Sequence, residues 1–182
     1  MPLPPGYTKA SWDRVRNGDE IRAFLREGIA ANHWPVYIYG HRGTGKTCLA
    51  ALIHASVSTG AIWERADSLL DELSQFRRTA EDGKRWERLV GCRLLTLDDL
   101  GVRMPTEFMA AKLFDLLEAR KGRPTIITSN HPLQRLEGHA APLGELFDDR
   151  ILSRLAAGRM VCLQGADRRA GQGKGIVIGG SR

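Results

Sequence analysis

Apolar residues recur along this chain with two spacings, and the alternation of the two outlines a fold. Short runs that are mostly apolar and rich in β-branched or aromatic residues read as buried strands at 36–39 (VYIY), 60–66 (GAIWERA), 93–98 (RLLTLD), 124–130 (PTIITSN) and 159–163 (RMVCL). Between them apolar residues return every three or four positions, the spacing of one helical face. Ile21, Phe24, Leu25 and Ile29 mark a helix over about 20–31 capped by Asn17 or Asp19, and Leu49, Leu52, Ile53 and Val57 mark one over 47–57. Leu69, Leu70, Leu73 and Phe76 mark a third over 66–77 with Asp67 as cap; two more are expected over 105–120 and 144–157. TAEDG, 79–83, reads as a polar break before a short amphipathic turn or helix, KRWERLVG, and 131–143 as a loop rich in Pro, Gly and His. Strands alternating with helices predict an α/β fold, a parallel sheet covered on both faces.

Length and composition narrow this picture. The 182 residues suit one domain with a sizeable core. Residues 1–17, opening with three prolines, read as an extended arm, 18–164 as the domain, and 165–182, with six glycines, as a flexible tail. The net charge of +6 permits an anionic partner, and 21 of the 27 basic residues are arginine, the better phosphate ligand. A genome-wide composition bias gives the same count, so nucleic-acid binding is suggested by it and no more. Cys48, Cys92 and Cys162 are odd in number, widely separated and set in apolar segments, the pattern of reduced thiols in a cytoplasmic protein. His33, His41, His54, His131 and His139 have no metal-ligand spacing with them. No leader-like segment or membrane-length apolar run is present, so no membrane association is expected.

The chemistry begins at GHRGTGKT, between an expected strand and an expected helix. A glycine loop in that position surrounds phosphate oxygens with backbone N–H groups and the positive end of the helix, so Gly40, His41, Arg42, Gly43, Thr44, Gly45, Lys46, Thr47 and Cys48 form the candidate nucleotide loop. Lys46 reaches the β- and γ-phosphates of ATP, and the Thr47 hydroxyl ligates Mg²⁺. LLTLDD then brings two carboxylates to the end of a buried strand, Asp98 as the Mg²⁺ partner and Asp99 placed to polarise the attacking water. Asn130, ending TIITSN, carries an amide that both donates and accepts near a γ-phosphate. Arg150 and Arg154 lie four residues apart on one helical face, where pairing with Asp148, Asp149 or Glu145 is the local reading.

The order GHRGTGKT, LLTLDDLG, PTIITSN, DDRILSRL resembles the AAA+ ATPases of the DnaC/IstB type, the helicase loaders and transposition helper ATPases. The resemblance runs from about residue 36 to 163. It implies a three-layer P-loop NTPase core with five parallel strands, the P-loop strand in the centre, and no C-terminal helical lid. It also implies Walker A at Gly40, Gly43, Gly45, Lys46 and Thr47, Walker B at Asp98 and Asp99, sensor 1 at Asn130, and an arginine finger at Arg154 with Arg150 in the same box. Slow ATP hydrolysis, homo-oligomerisation when ATP is bound, and a replicative helicase or a transposase as partner follow from it, helicase loading first. Arg168 matches the family's terminal arginine only weakly, and the short stretch ahead of the first strand leaves the partner's identity open.

In RRTAEDGKRWER, 77–88, the residues Arg77, Arg78, Arg85 and Trp86 have the chemistry for single-stranded DNA, phosphate pairing with base stacking. A solvated helix with Trp86 and Leu89 turned inward fits the same residues. Two classes remain: an ATPase switch that loads or remodels a DNA-bound machine, and a non-catalytic nucleotide-binding regulator of a helicase or transposase.

Overall fold

The computed structural model describes Tyr7 and residues 10–15, 17–57 and 59–165. Strands β1 (Val36–Gly40), β2 (Ala61–Arg65), β3 (Leu94–Leu100), β4 (Thr125–Ser129) and β5 (Arg159–Leu163) form one sheet in the order β2-β3-β4-β1-β5. Every pairing in it is parallel. Around it lie α1 (Gly18–Ala30), α2 (Lys46–Ala55), α3 (Ala66–Ser74), α4 (Ala80–Gly91), α5 (Glu107–Ala119) and α6 (Asp149–Ala156). Because successive strand residues face opposite ways, each strand serves two cores. Val36, Ile38, Leu94 and Ile126 pack with Leu25 of α1 and Leu49, Ala50 and Ile53 of α2. Tyr37, Leu95, Leu97 and Ile127 pack on the other face with Leu69 and Leu73 of α3, Leu89 of α4, Leu113 and Leu116 of α5 and Ile151 and Leu155 of α6. The result is the expected three layers.

The sheet order corrects one expectation. The middle strand is β4, buried along its whole length, while the P-loop strand β1 lies between β4 and the edge strand β5. This puts the carboxyl end of β4 between those of β1 and β3, where ligands of open α/β sheets gather.

Local boundaries depart where capping chemistry was misread. TAEDG is no break: the Thr79 hydroxyl accepts from the Asp82 N–H at 3.1 Å while the Asp82 carboxylate accepts from the Thr79 N–H at 2.9 Å, a reciprocal cap that starts α4. Asn17 precedes α1 with φ of 55° and no side-chain cap, and Asp67 sits inside the first turn of α3. The helix expected over 144–157 is a 3₁₀ turn, Leu143–Glu145, followed by α6, whose cap Asp148 accepts from the N–H groups of Arg150 and Ile151. The described part of the opening stretch is docked, unlike an extended arm: Trp12 and Val15 pack against the α1–α2 core, Arg22 lies over the Trp12 ring at 5.3 Å, and Tyr7 lies beside Trp63. The rest of that arm, and the glycine-rich tail from 166 with Arg168, lie outside the described residues.

Candidate active site

The loop leaving β1 takes three glycines through backbone that only glycine holds without strain. Gly40, Gly43 and Gly45 have φ of 148°, 77° and 98°. At Gly40 a Cβ would sit 2.1 Å from the Leu163 carbonyl oxygen, so the loop can leave the sheet here only without a side chain. Thr44 closes the turn by donating its hydroxyl to the His41 carbonyl at 2.8 Å. Gly45 then precedes α2 with no side chain capping its first turn, leaving the positive end of the helix turned to the loop. Lys46 is 5 % exposed and its Nζ donates to the carbonyls of Gly40 at 2.9 Å and His41 at 2.8 Å, so the ammonium lies over the loop itself. Thr47 is buried, Cys48 half-buried, and His41 and Arg42 exposed. The His41 ring stacks on His139 at 5.0 Å, and His139 Nε2 is 3.6 Å from Cys162 Sγ.

The carboxylates of Asp98 and Asp99 stand at an irregularity of β3. Leu97 is opposite Ile127 and Leu100 opposite Ser129, so three residue steps on β3 meet two on β4, and the extra residue falls at Asp98–Asp99. Asp99 has φ of 61°, a left-handed conformation that non-glycine residues enter at a cost of about 1 kcal/mol or more and that clusters at functional sites. Thr128 of β4 joins the two acids: its hydroxyl donates to Asp98 Oδ1 at 2.6 Å and accepts from the Asp99 N–H at 2.9 Å. Burial pushes the Asp98 carboxyl up, the Thr128 hydroxyl pulls it back down, the Asp99 charge adds to the rise, and the Thr47 hydroxyl and Arg65 lower it. A buried carboxylate beside a second carboxylate and facing a hydroxyl is a hard-oxygen donor set suited to Mg²⁺. Among the described residues no group of three or more His, Cys, Asp or Glu surrounds a metal position, so an ion here would depend on Thr47, Asp98 and phosphate oxygens.

Asn130 is the first residue beyond β4, half-buried, and follows Ser129, which is level with Tyr39 of β1 and Leu100 of β3. The glycine loop, both acids and Asn130 therefore lie together at the carboxyl end of the sheet. Arg150 and Arg154 are held elsewhere on α6, against α5. Arg150 pairs with Asp148 at 2.7 Å, as the local reading expected; Arg154 pairs with Glu118 of α5, a partner the sequence did not suggest. Both guanidinium groups lie over the Phe114 ring, at 5.0 and 5.5 Å.

Of the DNA candidates, Arg77 and Arg78 are exposed in the turn before α4. Arg85 is bound instead inside the fold, to Glu72 of α3 at 2.8 Å and Glu64 of β2 at 2.7 Å, and Trp86 packs against the α3–α6 core. Those contacts engage the partly buried Arg85 and Trp86 within the fold. Thr128 and His131 were missed altogether. For Thr128 the available signal was a polar residue inside a strand buried along its whole length, which must find a hydrogen-bond partner. The three cysteines are free thiols, and among the described residues no helix is long and apolar enough to cross a membrane.

The family model described as IstB-like ATP binding protein matches residues 29–165. The insertion-sequence ATP-binding protein y4uH of Sinorhizobium fredii is 31% identical over 156 residues, 84% of this chain and 58% of that protein. An IS21-like insertion-sequence ATP-binding protein of Bacteroides fragilis is 33% identical over 153 residues, 78% of this chain and 57% of its own length. The chain thus spans a little over half the length of these relatives. Among solved structures, the DnaC helicase loader superposes with a TM-score of 0.68 at 19% identity, covering 88% of this chain and 100% of that one. The replication initiator DnaA bound to AMPPCP and single-stranded DNA gives 0.69 at 20% identity, covering 90% of this chain and 51% of that one. At such identities these two likenesses are of fold: this chain has the α/β P-loop architecture of the DnaC type.

Proposed function

The chain belongs to the IstB-like ATP-binding protein family, and from that premise we propose that it binds ATP with Mg²⁺ at residues 40–47 and hydrolyses it to switch a DNA-bound protein assembly. The observation that carries this reading is Asp98, 6 % exposed, beside a second carboxylate and opposite Thr47, an arrangement that a cation and a phosphate stabilise. Thr47 and Asp98 would hold Mg²⁺, whose charge offsets that of the β- and γ-phosphates. Lys46 exchanges its carbonyl partners for phosphate oxygens as the nucleotide enters the loop. Asp99 accepts the proton of a water as that water bonds to the γ-phosphorus; the bond to the bridging oxygen breaks, and ADP and phosphate leave. Asn130 orients that water with its amide.

Sequence likeness orders the partners. The relatives at 31% and 33% identity are insertion-sequence proteins, whereas the likeness to the helicase loader, at 19%, is one of fold. A transposition helper that acts with a transposase therefore comes first and helicase loading second, the reverse of the order suggested by motifs alone. ATP-dependent self-association and single-stranded DNA contact through Arg77 and Arg78 belong to the same proposal. Lys46→Ala tests its foundation: removing a charge-assisted phosphate clamp should weaken Mg²⁺-dependent binding of a fluorescent ATP analogue by about 10- to 100-fold. Equal affinity in parent and variant would overturn the site. Turnover with and without DNA and transposase then separates an ATPase switch from a non-catalytic regulator, which would bind the analogue and hydrolyse nothing.

A further inference from the structure

His131 directly follows Asn130, and all four of its polar groups are engaged. Its backbone N–H donates to Ser129 Oγ at 3.1 Å, and Ser129 Oγ in turn donates to the Leu100 carbonyl at 2.7 Å. Its carbonyl accepts from the Tyr37 hydroxyl at 2.6 Å, a phenol that burial keeps protonated by pushing it well above its ordinary range. The ring faces two more carbonyls: Nε2 is 3.0 Å from the Gly101 oxygen and Nδ1 2.6 Å from the Ala141 oxygen. Neutral imidazole has one N–H and so can satisfy only one of these acceptors; the imidazolium satisfies both. Gly101, with φ of 84°, lets the ring approach, since a Cβ there would meet His131 Cδ2 at 3.2 Å.

We propose that His131 is a positioning residue of the ATPase centre: as an imidazolium it clamps the Asn130 end of β4 to the segment that follows Asp98 and Asp99, and as a neutral ring it drops one of the two bonds. The proposal rests on the ATPase reading above and deepens it. The titratable and charged groups on the elements packed around His131 are Tyr37 and Tyr39 on β1, Asp98, Asp99 and Arg103 on and after β3, and Arg135, Glu137, His139 and Glu145 along the following loop. Arg103 is turned to Asp67 and Asp71, Arg135 to Glu145, and His139 to His41. Among the described residues no carboxylate forms an ion pair with the His131 ring, so the two carbonyls are its proton-dependent partners.

Two measurements test this. The first is the ratio of parent to His131→Gln turnover across pH, with nucleotide affinity measured alongside; the ratio cancels pH effects common to both. It should be about 10-fold at the acid end of the profile and shrink toward unity at the alkaline end, at unchanged affinity. A ratio that is flat with pH, or a variant equal to the parent throughout, overturns the clamp. The second needs no variant and no activity: nitrogen-15 spectra of the parent's His131 ring across the same pH range should show a form with protons on both nitrogens at its acid end, and a single protonated nitrogen throughout overturns the clamp. Should the parent bind ATP without hydrolysing it, the ATPase reading falls by that result alone, and the spectra still decide the clamp.

Discussion

A single hydroxyl at Thr128 bonds to both Asp98 and Asp99, and this fixes what its loss should do. Thr128→Val keeps the side-chain shape but leaves the Asp99 N–H without its acceptor and Asp98 without its donor. Two groups that lose partners in a buried place cost about 1–3 kcal/mol each where water cannot reach them. The expected outcome is a less stable protein whose turnover falls by about 10-fold or more, because the acids lose their fixed orientation, while nucleotide affinity stays close to the parent's. Thr128→Ser restores the hydroxyl and should recover most of the rate; kinetics of the pair, read against analogue binding, check this, and a fully active Thr128→Val would remove the linking role. The placement of Lys46 after a glycine loop and of Asp98 at a strand end was legible in the sequence because their spacing is itself the signal. Thr128 gave only the general signal of a polar residue in an apolar strand, and the register that sets it against Asp98 and Asp99 is what gives it work.

The strands were legible for the same kind of reason: a short β-branched run such as TIITS has no other comfortable place than a buried sheet. Helix α4 was lost in part because a Thr-x-x-Asp cap is made of the residue types that also break helices; the inward turn of Trp86 was one of the two readings its stretch allowed, whereas the partners of Arg85, Glu64 and Glu72, are distant in sequence. Arg120 shows the same blindness at the end of α5. Buried to 2 % exposure, it donates to the carbonyls of Leu89, Val90, Cys92 and Pro124 and so ties the end of α4 to the start of β4 without any carboxylate. Helix α2 is joined to β3 by a comparable polar contact, His54 Nδ1 at 2.9 Å from Thr96 Oγ1, with Trp63 edge-on to the ring. His54 is fully buried, and burial lowers its pKa. An unfolded histidine takes up a proton near pH 6.5, before the folded one does, so this contribution to stability is complete above that pH and is lost as pH falls below it. Asp98, raised in the folded state, works in the opposite sense at lower pH. Comparing the parent with His54→Gln separates them: the drop in melting temperature from pH 7.5 to 5.5 should be shallower in the variant, and equal slopes would deny His54 the role.

At the scale of the molecule the question is how the carboxyl ends of β1, β3 and β4 communicate with anything outside them. Arg154 is where that question can be asked. Within the chain it pairs with Glu118 and lies over Phe114, and a half-exposed pair of this kind contributes about 0.5 kcal/mol, screened by salt. If that contact were its whole purpose, Arg154→Ala would lose a little stability and keep its ATPase activity. An arginine that completes a neighbour's site does something different: its guanidinium offsets charge developing on the neighbour's γ-phosphate, and its removal costs on the order of 10³-fold in rate while nucleotide still binds. The weakness of the Glu118 contact means that exchanging it for a phosphate is not costly, so both roles are open to the same side chain. Mixing separates them. Arg154→Ala protomers keep an intact Lys46 loop and Lys46→Ala protomers keep an intact Arg154, so each is expected to be inactive alone, and together they should recover turnover wherever an intact loop meets an intact arginine. Recovery should rise with total protein concentration, since it depends on contact between copies. If the mixture stays inactive where the parent self-associates and turns over, or if Arg154→Ala alone hydrolyses ATP at the parent's rate, Arg154 is a surface strut of α6, and the switch must work without a shared site.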